Sequence, residues 1–262
     1  MKRRLHLAMI LMLTLNLTYL SFAQSETEEA RPSINLKPAL GFEFFSRTVG
    51  WDGDEEQTYT SKLQSLLFTL NLEFEIQEGL FLGLLLGYSS SNYDGMAFRE
   101  LPFSVELDVG GIGGYLFGGE IKKNLISQGD FKIGLLGQFT FCLGVKNEWE
   151  IGGLNVSGKI EGNPTWMRAV AGPLLTYQRL NYFYPYLFLS FNYLWGTFEM
   201  DETVQTLTGN EKKKFSGEAL FGISLGAIYE LTDAFRLRGE ASVLPYQKGV
   251  DFGFIINVAY AF

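Results

Sequence analysis

The sequence has very little histidine and cysteine, and both scarcities restrict its chemistry. Its only histidine is His6 and its only cysteine is Cys142. A serine or water nucleophile needs a base that titrates near neutral pH, most often histidine, and a lone thiol cannot form an internal disulfide. Because we expect His6 to be removed with a targeting segment, the mature chain is predicted to have no catalytic residues, no enzymatic activity and no cofactor.

Long apolar runs are also missing after residue 23. The longest nearly apolar run, 80–88, is far shorter than the roughly 20 residues of a membrane-spanning helix. Residues 1–23 have a basic start, an apolar stretch and a small-x-small ending, which is typical of a cleaved signal peptide. An uncleaved anchor helix is the alternative. Residues 24–33 are polar and acidic, and they are predicted to be a short disordered tail.

Positive charge is in deficit. The net charge is −8, and removal of the three basic residues of segment 1–23 lowers it to −11. Nucleic-acid binding depends on clustered Lys and Arg, so nucleic acid is not expected as a partner. The acidic segment 51–56 lacks the spacing of a calcium loop. We predict a solvated loop there and no metal, with Ca²⁺ binding or carboxylate-only hydrolysis as alternatives.

Aromatic residues and glycine are abundant and favour strands, with 23 Phe, 13 Tyr and 30 Gly. In the C-terminal stretch VDFGFIINVAYAF, apolar residues alternate with mostly small or polar ones, so as a strand it has one apolar face and one small or polar face. The apolar face consists of Phe252, Phe254, Ile256, Val258, Tyr260 and Phe262. An unpaired apolar strand invites aggregation in water, whereas a closed barrel in lipid accommodates it.

The same alternation recurs along the chain and predicts ten strands, with eight or twelve as alternatives. The predicted strands are 34–49, 62–76, 80–88, 106–121, 131–145, 166–178, 187–195, 221–231, 235–244 and 250–262. In the fourth of them, the predicted outward set is Val109, Tyr115, Phe117 and Ile121. Long connections at 51–61, 89–106, 146–165 and 196–216 alternate with short ones, as in membrane barrels.

We therefore predict an all-β fold, a transmembrane antiparallel up-and-down β-barrel over residues 34–262. All four Trp residues (51, 149, 166 and 195) fall at the long-loop ends of strands, which indicates an interfacial aromatic girdle. A soluble sandwich or lipocalin-like barrel, with the apolar sets inside, is the alternative.

The signal segment, the alternating strands and the closing FGFIINVAYAF resemble the small outer-membrane β-barrel family of OmpA-like and opacity-type proteins. The resemblance implies an outer-membrane location. The lipid bilayer and lipopolysaccharide are expected partners, and the chain is expected to be a monomer. The resemblance also implies that Tyr260 and Phe262 are read by the barrel-assembly machinery. The even strand number places both termini in the periplasm. Ten strands depart from the eight common in that family.

Charged residues of the inward parity are the remaining site candidates. Enclosed charges must pair, because an unpaired one pays a large desolvation cost. Glu230 and Arg236 flank one turn at equal distance and are predicted to be cross-strand neighbours. We predict a salt-bridged plug of the lumen, formed by Lys37, Glu43, Glu73, Glu75, Glu120, Lys122, Lys132, Glu230, Arg236, Arg238 and Glu240.

These features predict a non-enzymatic outer-membrane barrel that presents extracellular loops for surface interaction or envelope integrity. The alternative is a narrow pore or transporter that carries a small solute through the charged lumen. The run 212–214 of three lysines, in the fourth predicted outside loop, is a candidate contact for lipopolysaccharide phosphates, with a solvated loop as the alternative.

Overall fold

The computed structural model describes residues 36–52, 60–98, 105–150, 158–204 and 207–260, and almost all of them lie in strands. The strands are β1 Leu36–Asp52, β2 Thr60–Gln77, β3 Leu80–Phe98, β4 Val105–Gln128, β5 Phe131–Gly144, β6 Asn147–Glu150, β7 Gly158–Tyr177, β8 Phe183–Val204, β9 Leu207–Gly217, β10 Phe221–Glu230, β11 Phe235–Tyr246 and β12 Gly249–Tyr260. The predicted signal segment, the predicted tail and Phe262 lie outside these ranges. Within them, no helix combines the length and the apolar character that a membrane crossing requires.

Ten strands close into a ring in the order β1-β2-β3-β4-β5-β7-β8-β10-β11-β12, and β12 pairs back with β1. Every pairing is antiparallel. The closing register sets Leu40 opposite Val258 and Phe44 opposite Phe254. Closure pairs the backbone hydrogen-bonding groups of β1 with those of β12, so the ring has no edge strand. The predicted ten-stranded up-and-down barrel, closed between its first and last strands, is confirmed.

The two ends of the ring differ in their connections. Short connections join β2 to β3, β4 to β5, β7 to β8 and β10 to β11 at what we call the turn end. Gly79 and Gly129 supply the positive φ angles, 70° and 58°, that two of these tight turns require. The strands β1 and β12 also begin and finish there. We call the opposite end the loop end.

The predicted long loops at 89–106, 146–165 and 196–216 were wrong over most of their length, because paired strands extend through them. β3 and β4 remain paired as far as Phe98 and Val105, and β8 forms a hairpin with β9. The outward positions of these extensions are polar, for example Glu199 and Lys212. The apolar alternation that marked the other strands is therefore missing there, although the backbone pairing continues.

The ring narrows from ten strands to eight toward the loop end. β11 and β12 meet in a two-residue turn at 247–248, and beyond that turn β9 alone takes the place of β10, β11 and β12. β9 pairs with β8 on one side and with β1 on the other, where Val49 faces Gly217. An eight-stranded barrel has an interior just wide enough for side chains to fill. The β11–β12 hairpin therefore acts as a wedge that widens only the turn half of the barrel.

Buried polar side chains join the hairpin tip to the barrel. Arg47, only 2% exposed, donates hydrogen bonds to Asn192 Oδ1 at 2.8 Å and to the Ala219 carbonyl oxygen at 2.6 Å. Its Nε lies 3.4 Å from Asp251 Oδ2. The other oxygen of Asp251 accepts from the backbone N–H and the hydroxyl of Thr48, each at 2.9 Å. Asp251 thus bonds the β1 backbone where its partner changes from β12 to β9.

One strand changes face within its length. Gly111 in β4 has a φ of 72°, and the β3–β4 register shifts beside it. Val109, which was predicted to point outward together with Tyr115, is therefore buried inside the barrel, while Tyr115 is exposed. A bulge of this kind reverses the parity of every residue that follows, so the outward prediction for Val109 was wrong.

Candidate functional site

The outer face of the ring is a continuous apolar belt to which all ten strands contribute. Leu40 is 68% exposed and Leu225 is 66% exposed. A soluble monomer rarely exposes contiguous apolar patches above a few hundred Å². The alternative of a soluble barrel with these residues inside is wrong. Exposed members of the belt include Phe68, Leu70, Leu84, Leu86, Phe117, Ile121, Leu135, Phe139, Leu175, Leu189, Phe191, Ile223, Val243, Phe252 and Phe254.

The narrowed half of the lumen is filled by a second apolar set, which we call the loop-end core. All eight strands of the narrow ring contribute to it. Trp166, 1% exposed, packs edge-on against Phe45 with ring centroids 5.5 Å apart. The core consists of Phe45, Val49, Leu63, Leu67, Leu85, Tyr93, Val109, Ile112, Leu116, Cys142, Ile160, Trp166, Leu194, Phe198, Met200 and Phe215. The lumen is therefore blocked by packed hydrocarbon rather than by the predicted salt-bridged plug.

The four Trp residues do not form one girdle. Trp166 is at the centre of the loop-end core, and Trp51 and Trp149 pack against that core from its rim. Only Trp195 lies with the outer aromatics, stacked on Tyr193 at 5.0 Å. The girdle prediction was wrong for three of the four Trp residues. A position near a strand end in the sequence does not determine whether the side chain points into the lumen or toward the outer face.

One ion pair crosses the lumen beneath the core. Arg168 on β7 reaches Glu43 on β1, diametrically across the ten-stranded ring, through two hydrogen bonds, of which Nη2 to Oε2 measures 2.9 Å. The guanidinium carbon also lies 5.1 Å from the ring centre of Phe45. The two side chains are only 6% and 13% exposed. This bidentate geometry is the strong form of an arginine–carboxylate contact.

A second polar cluster lies on the wall formed by β8, β10 and β11. Tyr186 donates its hydroxyl to Glu240 at 2.6 Å and accepts from Arg238 Nε at 2.8 Å. Arg238 also pairs with Glu240 at 2.6 Å. Gly226 lies between Tyr186 and Glu240 in the sheet. A Cβ at Gly226 would meet the tyrosine ring at 2.3 Å, so only glycine lets the ring cross β10 to reach its partners.

The turn half of the lumen holds an open cavity of about 440 Å³, which we call the turn-end cavity. On one wall, Lys122 Nζ lies 2.9 Å from Glu73 and 4.5 Å from the ring centre of Phe81. On the other wall, Arg236 pairs with Glu230 at 2.9 Å. A smaller cavity of about 80 Å³ continues beside the Glu43–Arg168 pair. The lumen thus changes from charged and open at the turn end to apolar and packed at the loop end.

The structure brings together most of the predicted lumen charges, but as separate pairs rather than as one network. Eight of them line the turn-end cavity: Lys37, Glu73, Glu120, Lys122, Lys132, Glu230, Arg236 and Arg238. Glu43 and Glu240 lie deeper, beside the smaller cavity. Glu75 instead accepts from the backbone N–H of Gly79 in the β2–β3 turn, at 3.3 Å. The predicted cross-strand pairing of Glu230 and Arg236 is confirmed.

The other sequence-predicted sites lie at the ends of the barrel. Tyr260 packs edge-on against Phe235, with ring centroids 5.0 Å apart. Apart from its first two residues, the acidic segment 51–56 lies outside the described residues. The lysine run 212–214 lies on β9 rather than in a loop, and Lys213 pairs with Glu211 at 2.9 Å.

Four polar residues that matter here were missed: Arg47, Arg168, Tyr186 and Asp251. Arg168 lies on a strand that has apolar residues on both faces, so the alternation pattern does not assign it to the inward face. Arg47 and Asp251 do have the inward parity of their strands. Their inward parity could have marked both residues as lumen candidates. Their ion pair, however, depends on where the β11–β12 hairpin ends, which is a feature of the tertiary structure.

The comparisons with known proteins support the fold alone. No family model and no curated protein sequence matches the chain. The outer membrane protease OmpT from Escherichia coli matches with a TM-score of 0.53 and 10% identity, over 90% of this chain and 99% of that chain. The translocator domain of autotransporter NalP from Neisseria meningitidis gives 0.47 and 13%, over 98% and 97%. Ail, the attachment invasion locus protein of Yersinia pestis, gives 0.34 and 12%, over 87% and 99%.

Proposed function

We propose that this chain is an outer-membrane β-barrel protein with neither enzymatic activity nor ion conductance, which presents its loop-end hairpins outside the cell. The turn end, where β1 starts and β12 finishes, faces the periplasm in this proposal. The lipid bilayer is its immediate partner, and the barrel-assembly machinery and lipopolysaccharide are further proposed partners. Kinship with OmpA-like and opacity-type proteins belongs to the same proposal, on the strength of the closing strand.

The observation that carries the proposal is the loop-end core. A conducting barrel needs a continuous polar path, whereas here packed side chains from all eight strands of the narrow ring fill the lumen. Moving a hydrated ion through packed hydrocarbon costs tens of kcal/mol in an idealised Born estimate. The charged turn-end cavity therefore ends blindly in the barrel and does not lead to the other side.

The loop-end hairpins suit an aqueous surface. The outward side chains of β8 and β9 beyond the belt are polar, and Lys212 pairs there with Glu199. Near the end of β5, the hydrogen bond and the charge of Glu161 raise the pKa of Lys146. Exposed pairs of this kind add little stability, but they keep paired strands soluble beyond the membrane. This arrangement supports presentation of a rigid polar surface rather than of long loops.

Planar-bilayer recording tests the proposal. We expect the refolded mature protein to give no steady ion steps, while protease protection in vesicles shows independently that it has inserted. Steady steps that change on Glu73→Ala or Arg238→Ala would support the alternative, a narrow pore for a small solute. The exposed-pair variant Lys212→Gln is the matched control, since its charge lies outside the lumen.

A further inference from the structure

The turn-end cavity has more positive than negative charge on its walls. Its cations are Lys37, Lys122, Lys132, Arg236 and Arg238, and its carboxylates are Glu73, Glu120 and Glu230. Two of these carboxylates are taken up by ion pairs, Glu73 with Lys122 and Glu230 with Arg236. Arg238 pairs deeper in the lumen with Glu240. Among the described residues, Lys37 and Lys132 have no carboxylate oxygen within ion-pair distance, and Glu75 acts on Lys132 only at longer range. Two ammonium groups of the cavity therefore lack a direct ion pair, against one such carboxylate, Glu120.

These lysines belong to one wall, which is built around an aromatic ring. Phe81 on β3 has Lys122 Nζ at 4.5 Å and Lys37 Nζ at 5.4 Å from its ring centre. Lys132 follows on β5, the strand next to that of Lys122, and the two ammonium groups repel each other. Of the three ammonium groups on this wall, only that of Lys122 has a direct carboxylate partner, Glu73. An anion placed among them would relieve their repulsion and gain charge-assisted hydrogen bonds.

The cavity also has an apolar part. Leu85, Leu136, Leu174, Ile228 and the ring of Tyr186 line it, alongside the polar Asn71, Gln138 and Asn257. The volume of about 440 Å³ falls within the range of about 300–1,000 Å³ that small-molecule sites occupy. Such sites typically have an apolar body and a few polar groups that fix the orientation of the ligand. A single inorganic ion would leave this apolar part of the cavity unused.

We propose that the turn-end cavity binds a small organic anion, with one carboxylate or phosphate group and a compact apolar body. The acidic group faces Lys37, Lys122 and Lys132, and the apolar body lies against Leu136 and its apolar neighbours. The ligand enters and leaves through the turn end. This site is independent of the proposed function, because binding at a blind cavity requires no conductance and is compatible with any role of the loop-end hairpins.

Calorimetric titration of the full-length mature barrel, refolded in neutral lipid vesicles, tests the site. The probes are benzoate, phenyl phosphate and, as a cation of matched size, benzylamine. We expect saturable binding of the two anions and none of benzylamine. Lys132→Gln should weaken phenyl phosphate binding about tenfold, the size expected for one charge-assisted hydrogen bond. Lys132→Arg retains the charge and should stay within about threefold of the unmodified protein.

Lys248→Gln is the matched control, because Lys248 is exposed in the β11–β12 turn, away from the cavity. Equal affinity of Lys132→Gln and Lys248→Gln, benzylamine binding as tight as benzoate, or no anion binding at millimolar concentration would each overturn the proposal. Unfolding curves of every variant identify any that has lost its fold, and for such a variant Lys37→Gln takes its place. Vesicles with phosphatidylglycerol separate two sources of the anion: competition with phenyl phosphate identifies a lipid headgroup, and unchanged affinity identifies a free solute.

Discussion

Replacing Arg168 by methionine is the most direct test of how this barrel is held together across its lumen. Arg168→Met removes the guanidinium and leaves Glu43, 13% exposed, without its bidentate partner. Removing one member of a buried ion pair costs about 3–5 kcal/mol, because the remaining charge is buried and uncompensated. The adjoining cavity of about 80 Å³ gives water access to Glu43. We therefore expect the lower end of the range, about 3 kcal/mol of unfolding free energy.

The assay is urea unfolding of the refolded barrel in lipid vesicles, followed by tryptophan fluorescence. With a urea m-value of about 2–3 kcal/mol/M, the expected loss moves the midpoint down by about 1–1.5 M. The double variant Glu43→Gln with Arg168→Met removes both charges and should recover about 2 kcal/mol of that loss. Lys212→Gln breaks an exposed pair, with side chains 54% and 50% accessible, and should cost less than about 1 kcal/mol.

The result that would refute this reasoning is strict additivity. If the double variant is as unstable as the sum of the two single variants, the coupling between Glu43 and Arg168 is near zero, whereas residues in direct contact couple by about 0.5–3 kcal/mol. The pair would then contribute nothing across the lumen, and the cost of Arg168→Met would have to come from lost packing against Phe45.

Two further predictions concern the lumen wall and the belt. Gly226→Ala should destabilise the barrel by about 1–3 kcal/mol, because its Cβ would meet the Tyr186 ring at 2.3 Å and the Gly239 carbonyl oxygen at 2.8 Å. Adding Tyr186→Phe keeps the ring and should therefore not relieve the cost. Unfolding curves that show full relief in the double variant would contradict the steric explanation. Leu225→Arg, at an outward position in the middle of β10, should cost about 2–4 kcal/mol in vesicles, whereas Leu231→Arg, just past the end of the same strand, should cost about 0–1 kcal/mol. Equal costs at both positions would mean that the belt does not lie in the hydrocarbon of the bilayer.

The barrel and its outward face were readable from the sequence for a simple physical reason. Lipid imposes one rule on every strand, an apolar side chain at every second position, so each strand shows the pattern independently of its neighbours. Phe252 and Leu225 could therefore be assigned to the outer face without knowledge of their contacts. The Glu230–Arg236 pair was predictable for a similar reason, since a short turn fixes its own register.

The interior could not be read in this way. Whether an inward position is charged, wet or packed depends on how many strands surround it at that height, and the sequence does not state that β10, β11 and β12 stop short while β9 alone takes their place. Because the ring narrows from ten strands to eight, Leu67, Trp166 and Phe198 pack into a core, while Lys132 faces an open cavity. By itself, the sequence determined that the chain forms a barrel and which face of each strand meets lipid. Only the tertiary structure decided where the lumen is closed, because closure depends on strands that are far apart in the sequence.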